Sequence, residues 1–167
     1  MTVSKKRYGV GIVPGSFDPI TFGHLDIIKR ASELCDVVFV AVMINDQKQY
    51  MFDLDTRLSI AKAACEGIDN VSVISSEGML FELARELSAE VIVKGVRNDV
   101  DREYEEKMAE YNSAMYPRAE TLLLEADATL TEVSSTAVRE LINSNGELEG
   151  YLPDAVITKI NEMRGKL

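Results

Sequence analysis

Residues 7–44, "RYGVGIVPGSFDPITFGHLDIIKRASELCDVVFVAVMI", decide the fold of this chain. "RYGVGIV" (7–13) reads as a strand. "VVFVAVMI" (37–44) is an unbroken, β-branched apolar run, the pattern of a strand buried on both faces. Between them, "FGHLDIIKRASELC" (22–35) spaces Leu25, Ile28, Ala31 and Leu34 at roughly a helical period. A strand, a helix and a strand in succession over this length form a βαβ crossover, which makes the two strands parallel.

The alternation continues outward. Helices are expected over 55–67, closed by Gly67, and over 79–89. Another is expected over 100–116, stopped by Pro117. A fourth, over 134–146, opens on serine caps and ends at Gly146. The last, over 153–167, has Pro153 at its start. Strands are expected at 70–75, 90–95 and 121–126. The result is one α/β domain over residues 1–167: a five-stranded parallel sheet with helices on both faces, preceded by a disordered extension, Met1 to Lys6. A chain of 167 residues can bury roughly 70 % of its unfolded surface, so it needs no staples.

Composition narrows the function. Asp and Glu number 28 against 18 Lys and Arg, a net charge of −10. Affinity for nucleic acid comes mainly from cations on phosphates, so nucleic acid is not an expected partner. A small phosphate ligand remains open if a few cations are gathered locally. The basic and apolar start of the chain is too short to be a signal peptide and is broken at Pro14-Gly15. No window approaches eighteen consecutive apolar residues, so no membrane span is expected and the cytoplasm is the expected compartment. Cys35 and Cys65 form no CxxC and read as small buried hydrophobes in a reducing compartment.

In parallel sheets ligands bind beyond the carboxyl ends of the strands, near a topological switch point. After the first strand comes "PGSFDPITFGH" (14–24), which holds His24, the single histidine of the chain. Thr21 can cap the following helix, placing His24 at about its third position, where free N–H groups and the positive dipole end attract anions. Gly15 and Gly23 would let the backbone approach a ligand. A plain βα turn with an incidental histidine is the competing reading. Lys48 lies in the polar loop after the second strand, where a cation is more often solvated than functional. Lys94 and Arg97 flank Gly95 after the fourth strand, as a phosphate clamp would. Ser134, Ser135 and Thr136 open a helix after the fifth, as a second anion site or simply as caps.

Together these cations and helix starts gather positive potential on one edge of an acidic protein. No HExxH, Cys/His cluster or GxSxG accompanies them, and no metal ligands stand out. Chemistry that needs only positioned donors and cations is favoured, such as phosphoryl or nucleotidyl transfer.

These residues resemble a known family. "PGSFDPITFGH" is similar to the [ST]xGH signature of the nucleotidyltransferases with HIGH-type motifs. The "KQYMF" loop, "KGVRNDVDREYE", "MAEYN", "VSSTAVREL" and the late "YLP" extend the likeness over essentially the whole chain, to the bacterial phosphopantetheine adenylyltransferase family. The resemblance implies a Rossmann-like, doubly wound fold and, as a rule, a homohexamer. The implied reaction joins ATP to 4′-phosphopantetheine, giving dephospho-coenzyme A and pyrophosphate, with Mg²⁺ held mainly by the ATP phosphates.

It also implies roles for single residues. His24 would stabilise the transition state at the α-phosphate, and Lys48 would hold the attacking phosphate. Ser16 would contact both substrates and Phe17 the ATP. Leu80, beside Met79, would lie in the pantetheine groove, Lys94 would grip its phosphate, and Asn112 would lie near it. Gly95, Val96, Arg97, Glu105 and the stretch Leu130, Thr131, Glu132, Val133, Ser134, Ser135 and Thr136 would line the nucleotide site. Two residues depart from the family pattern. Lys94 stands where arginine is usual, which exchanges a bidentate fork for a point charge. Phe22 stands where asparagine is common, with its backbone N–H expected to remain available for an anion. The alternatives are the same chemistry on nicotinamide mononucleotide, glycerol phosphate or flavin mononucleotide, or a non-catalytic adenylate-binding module.

Overall fold

Period-two alternation along the central strands puts an apolar side chain on each face of the sheet, and both faces are covered. The computed structural model describes residues 6–164. In chain order it runs β1 (Tyr8–Gly15), α1 (Phe22–Leu34), β2 (Cys35–Met43), α2 (Leu54–Cys65), β3 (Val71–Ser76) and α3 (Leu80–Glu86). It continues through β4 (Val91–Val96), α4 (Asp99–Met115), β5 (Glu120–Glu125), a 3₁₀ turn (Ala128–Leu130), α5 (Ser135–Asn143) and α6 (Asp154–Met163). The strands form one parallel sheet in the order β3-β2-β1-β4-β5. This is the doubly wound, Rossmann-like fold that the sequence predicts. The order reverses between β1 and β4, the switch point.

One face packs Val13, Val40, Val42, Val91 and Val93 against α1, α2, α5 and α6. The other packs Ile12, Ala41 and Ile92 against Phe81, Leu83 and Ala84 of α3, with α4 beside it. Neighbouring residues on one strand thus serve opposite cores, as the pleat requires.

The β1–β2 ladder runs from Tyr8↔Cys35 to Gly15↔Val42. The β1–β4 ladder pairs Gly11 with Val91 and Ile12 with Ile92 and then stops. Beyond Ile12 the sheet parts at the switch point, and β1 is paired on one side only. β1 outruns its predicted end at residue 13 because its ladder to β2 continues through Pro14↔Ala41 and Gly15↔Val42. Pro14, which has no N–H to donate, is tolerated where a strand behaves as an edge.

Two helices end three residues earlier than their sequence suggests. α3 stops at Glu86 because Ser88 takes a left-handed conformation (φ 52°) and the Ala89 N–H turns back to the Ala84 carbonyl at 2.9 Å. α5 ends at Asn143, because Asn145 (φ 57°) rather than Gly146 supplies the left-handed residue and the Gly146 N–H reaches the Leu141 carbonyl at 2.7 Å. The expected extension, Met1 to Lys6, lies outside the described residues except for Lys6. The ammonium of Lys6 donates to the Ser32 carbonyl at 2.8 Å. Residues 165–167 of the last predicted helix also lie outside them. Both cysteines are buried, Cys35 at the start of β2 and Cys65 at the end of α2, and burial pushes each thiol up to about 11.

Candidate active site

The parting of β1 from β4 opens a cleft of about 480 Å³ at the carboxyl edge of the sheet. Val13 to Gly15 form one side of its floor and Val93 to Gly95 the other. Ser16, His24, Lys48, Lys94 and Arg97 all line it, together with the start of α5.

His24 is fixed by a capping exchange. Thr21 is the N-cap of α1 and His24 occupies the third helical position. The Thr21 Oγ1 accepts the His24 N–H at 3.4 Å, and the His24 Nδ1 accepts the Thr21 N–H at 3.0 Å. A histidine thus does the work that a Glu or Gln side chain does in a capping box. Because Nδ1 is the acceptor of a backbone N–H, the ring proton must sit on Nε2. Burial first, and the Arg97 guanidinium second, push the imidazole down to about 4. At neutral pH the ring is therefore an uncharged donor through Nε2. The Phe17 ring meets it edge-on, with centroids 5.0 Å apart. Phe17 itself holds a left-handed backbone (φ 47°), a conformation found where a site dictates the chain path.

The glycines serve packing. A Cβ on Gly23 would lie 2.9 Å from the Val133 carbonyl oxygen, so this glycine lets the start of α1 touch the loop before α5. A Cβ on Gly15 would meet the Phe17 ring at 3.1 Å. Both also line the cleft, where the sequence expects the backbone to approach a ligand. One expectation is corrected at Phe22. Its N–H is not left for an anion, since it donates to the Tyr151 carbonyl at 2.9 Å.

The cations are held in different ways. Lys48 is exposed on the loop between β2 and α2. Lys94 Nζ sits 2.6 Å from Glu105 Oε2, in a contact that is ionic rather than an aligned hydrogen bond. Arg97 donates to Asp101 through both its backbone N–H and its Nε, at 3.2 and 3.1 Å. At α5, Ser134 caps Ala137, Ser135 donates to the Pro19 carbonyl at 2.7 Å, and Thr136 accepts from Arg139 at 3.1 Å. Ser135 spends its proton on Pro19, whereas the Ser134 and Thr136 hydroxyls accept here and keep their protons for an anion, beside the first backbone N–H groups and the dipole of α5.

Some expected residues lie outside the cleft wall. The Val96 side chain is buried and its carbonyl accepts from Ala126 at 2.8 Å. Leu80 packs at the head of α3 and Asn112 is buried on α4. Thr131 and Glu132 belong to the loop before α5, whose Leu130 and Val133 do reach the cleft.

The comparisons with known proteins agree with this architecture. A cytidylyltransferase-like family profile matches residues 12–141. A phosphopantetheine adenylyltransferase of Clostridium novyi is 40% identical over 158 residues, which cover 95% of this chain and 98% of that protein. The chain belongs to the phosphopantetheine adenylyltransferase family. A second member, from Alkaliphilus metalliredigens, is 41% identical and covers 92% of this chain and 98% of its own. A solved structure from Vibrio parahaemolyticus, provisionally assigned as a nicotinate-nucleotide adenylyltransferase, matches with a TM-score of 0.70. It covers 95% of this chain and 93% of that one at 16% identity, a likeness of fold.

In this adenylyltransferase-family cleft the geometry adds residues that sequence reading missed. The buried Asp18 carboxylate accepts the N–H groups of Met51 and Phe52 at 2.8 and 3.0 Å. Arg139 donates to the Asp18 carbonyl at 2.8 Å and reaches the cleft wall. Arg57 is buried beneath the cleft. One signal was available for it: in α2 it sits three and four residues before Ile60 and Ala61, in register with the buried stripe.

Proposed function

We propose that this chain transfers AMP from ATP to 4′-phosphopantetheine, giving dephospho-coenzyme A and pyrophosphate. The observation that carries the reading is the cleft itself. Lys48, Lys94, Arg97 and a neutral His24 converge with the starts of α1 and α5 in a protein of net charge −10. Family membership at 40% identity supports the substrate pair.

The reaction is a direct displacement. The pantetheine phosphate is largely dianionic near neutrality, since its second pKa is about 6, so it needs no general base. Its oxygen forms a bond to the α-phosphorus of ATP as the bond to pyrophosphate breaks. His24 Nε2–H donates to the phosphoryl oxygens as the phosphorus becomes crowded. Lys48 and Lys94 offset repulsion between the two anions, and Arg97 and the α5 start hold the nucleotide. Ser16 stands between the two substrates. Leu80 and Asn112 lie outside the cleft wall and are assigned to the pantetheine side.

The carboxylates on the cleft wall do not fit a magnesium cage. Asp18 binds two backbone N–H groups, Asp101 binds Arg97, and Glu105 binds Lys94. Magnesium is therefore proposed as part of the substrate, carried on the ATP phosphates. A homohexamer and a cytoplasmic location belong to the same reading. Val100, Tyr104, Tyr111 and Met115 recur on one face of α4 and are exposed, which suits contact with further copies of the chain. No helix among the described residues is long and apolar enough to cross a membrane.

The test is pyrophosphate release with a panel of phosphates. 4′-Phosphopantetheine should be turned over in preference to nicotinamide mononucleotide, glycerol phosphate and flavin mononucleotide. By analogy with oxyanion donors, His24→Ala should lower turnover by about 10²–10³. ATP binding without pyrophosphate release from 4′-phosphopantetheine would overturn the reading.

A further inference from the structure

Arg57 is the largest fully buried side chain among the described residues, at 2 % exposure. Among the described residues, no carboxylate oxygen lies within 4.0 Å of its nitrogens. It is instead satisfied by carbonyls. Nη1 donates to the Ser16 carbonyl at 2.8 Å and to the Met43 carbonyl at 3.1 Å, and Nε donates to the Phe52 carbonyl at 3.2 Å. The Tyr50 ring lies over the guanidinium, 3.9 Å from ring centroid to carbon.

Each partner belongs to a different stretch of chain, and only Ser16 lines the cleft. Ser16 starts the phosphate-facing turn, Met43 ends β2, and Phe52 precedes the cap of α2. Tyr50 closes the loop that carries Lys48: its hydroxyl accepts the Asn45 N–H at 2.6 Å. One guanidinium therefore joins the Ser16 turn to both ends of the 44–53 segment, with its flat face under the ring that closes it. A buried charge with no carboxylate in contact is costly, and Asp53 answers it only from beyond ion-pair distance. An apolar residue would fill the space with less desolvation but would leave three carbonyls without a donor.

We propose that Arg57 is a positioning residue, which seats the Lys48 loop against the Ser16 turn so that Lys48 meets the reacting phosphate. The inference rests on the reading of Lys48 as a substrate contact given above. Arginine suits this task because it combines forked donors with a planar face for stacking. A lysine here offers a point charge and no stacking plane.

The test is a double-mutant cycle on pyrophosphate release, with the fold followed by circular dichroism. Arg57→Lys should lower turnover by about 10–100-fold, the scale of a misplacement near 1 Å. In a Lys48→Ala background the same change should cost less than about threefold, because the group it positions is gone. Losses that multiply in full would overturn the proposal. If Lys48→Ala alone leaves turnover intact, the underlying reading of Lys48 fails, and the proposal with it. If Arg57→Lys does not fold, Tyr50→Leu replaces it. This variant is measured against Tyr50→Phe, which loses only the loop-closing hydroxyl and keeps the ring over Arg57. A loss beyond that of Tyr50→Phe that vanishes in the Lys48→Ala background upholds the proposal, and one that multiplies in full overturns it.

Discussion

Because His24 is the single histidine, its protonation can be read in the untagged protein without assignment. The perturbation is pH, and the readout is the imidazole carbon-bound proton resonance in the free protein. With a pKa of about 4, the ring should be about 1 % protonated at pH 6, against about 75 % for an ordinary histidine near 6.5. The resonance should therefore stay still from pH 8 to about pH 5 and move below that. Arg97→Gln should raise the midpoint, by less than the whole shift, because burial is the larger cause. The linkage has a definite sign. The folded pKa lies below the unfolded one, so between about 6.5 and 4 the unfolded chain binds the proton first. This contribution to stability is complete above about pH 6.5 and is lost as pH falls through the window. His24→Gln should flatten that part of the stability profile. A midpoint between 6 and 7 in the free protein would refute the picture of a ring that burial keeps neutral.

Other outcomes follow from the same geometry. Lys94→Ala strands the Glu105 carboxylate and should cost about 3 kcal/mol in urea unfolding, whereas Lys48→Ala, at an exposed site, should stay within about 0.5 kcal/mol. Gly23→Ala forces a carbon against the Val133 carbonyl oxygen and should lower stability by about 1–3 kcal/mol while weakening ATP binding measured by calorimetry. Cys35 and Cys65 should react with a thiol reagent at pH 8 only as fast as the protein opens, since burial holds both thiols up near 11.

The layout of strands and helices was legible in the sequence because each buried strand is a short apolar run bounded by clear caps and breakers. The serine cap read at 134 caps α5 in space, and α2 and α4 start one residue before their expected positions, capped by Asp53 and Asn98. The position of His24 was legible for the same reason, since Thr21 is a strong N-cap. The commitments of the polar groups were not legible. Whether the Phe22 N–H faces an anion or Tyr151 depends on a loop 129 residues away in sequence. The pairing of Lys94 with Glu105 joins a strand to the second turn of the following helix, which charge counting along the chain cannot see. Arg57 was hidden by its type: an arginine on a short helix reads as solvated surface until its three carbonyls are in view.

The short β1–β4 ladder has a mechanical meaning. The sheet is two pieces, β3-β2-β1 and β4-β5, stitched at Gly11 and Ile12 and open from there to the carboxyl edge, like a zipper closed at one end. A molecule lying in the open part replaces the missing stitches, touching both pieces and cross-linking them. Deuterium exchange should show this directly. The amides among residues 93–95 that point into the seam should exchange faster than those of β2 in the empty protein and slow once nucleotide bridges the gap. Seen this way, the substrate becomes a temporary part of the sheet's own cohesion.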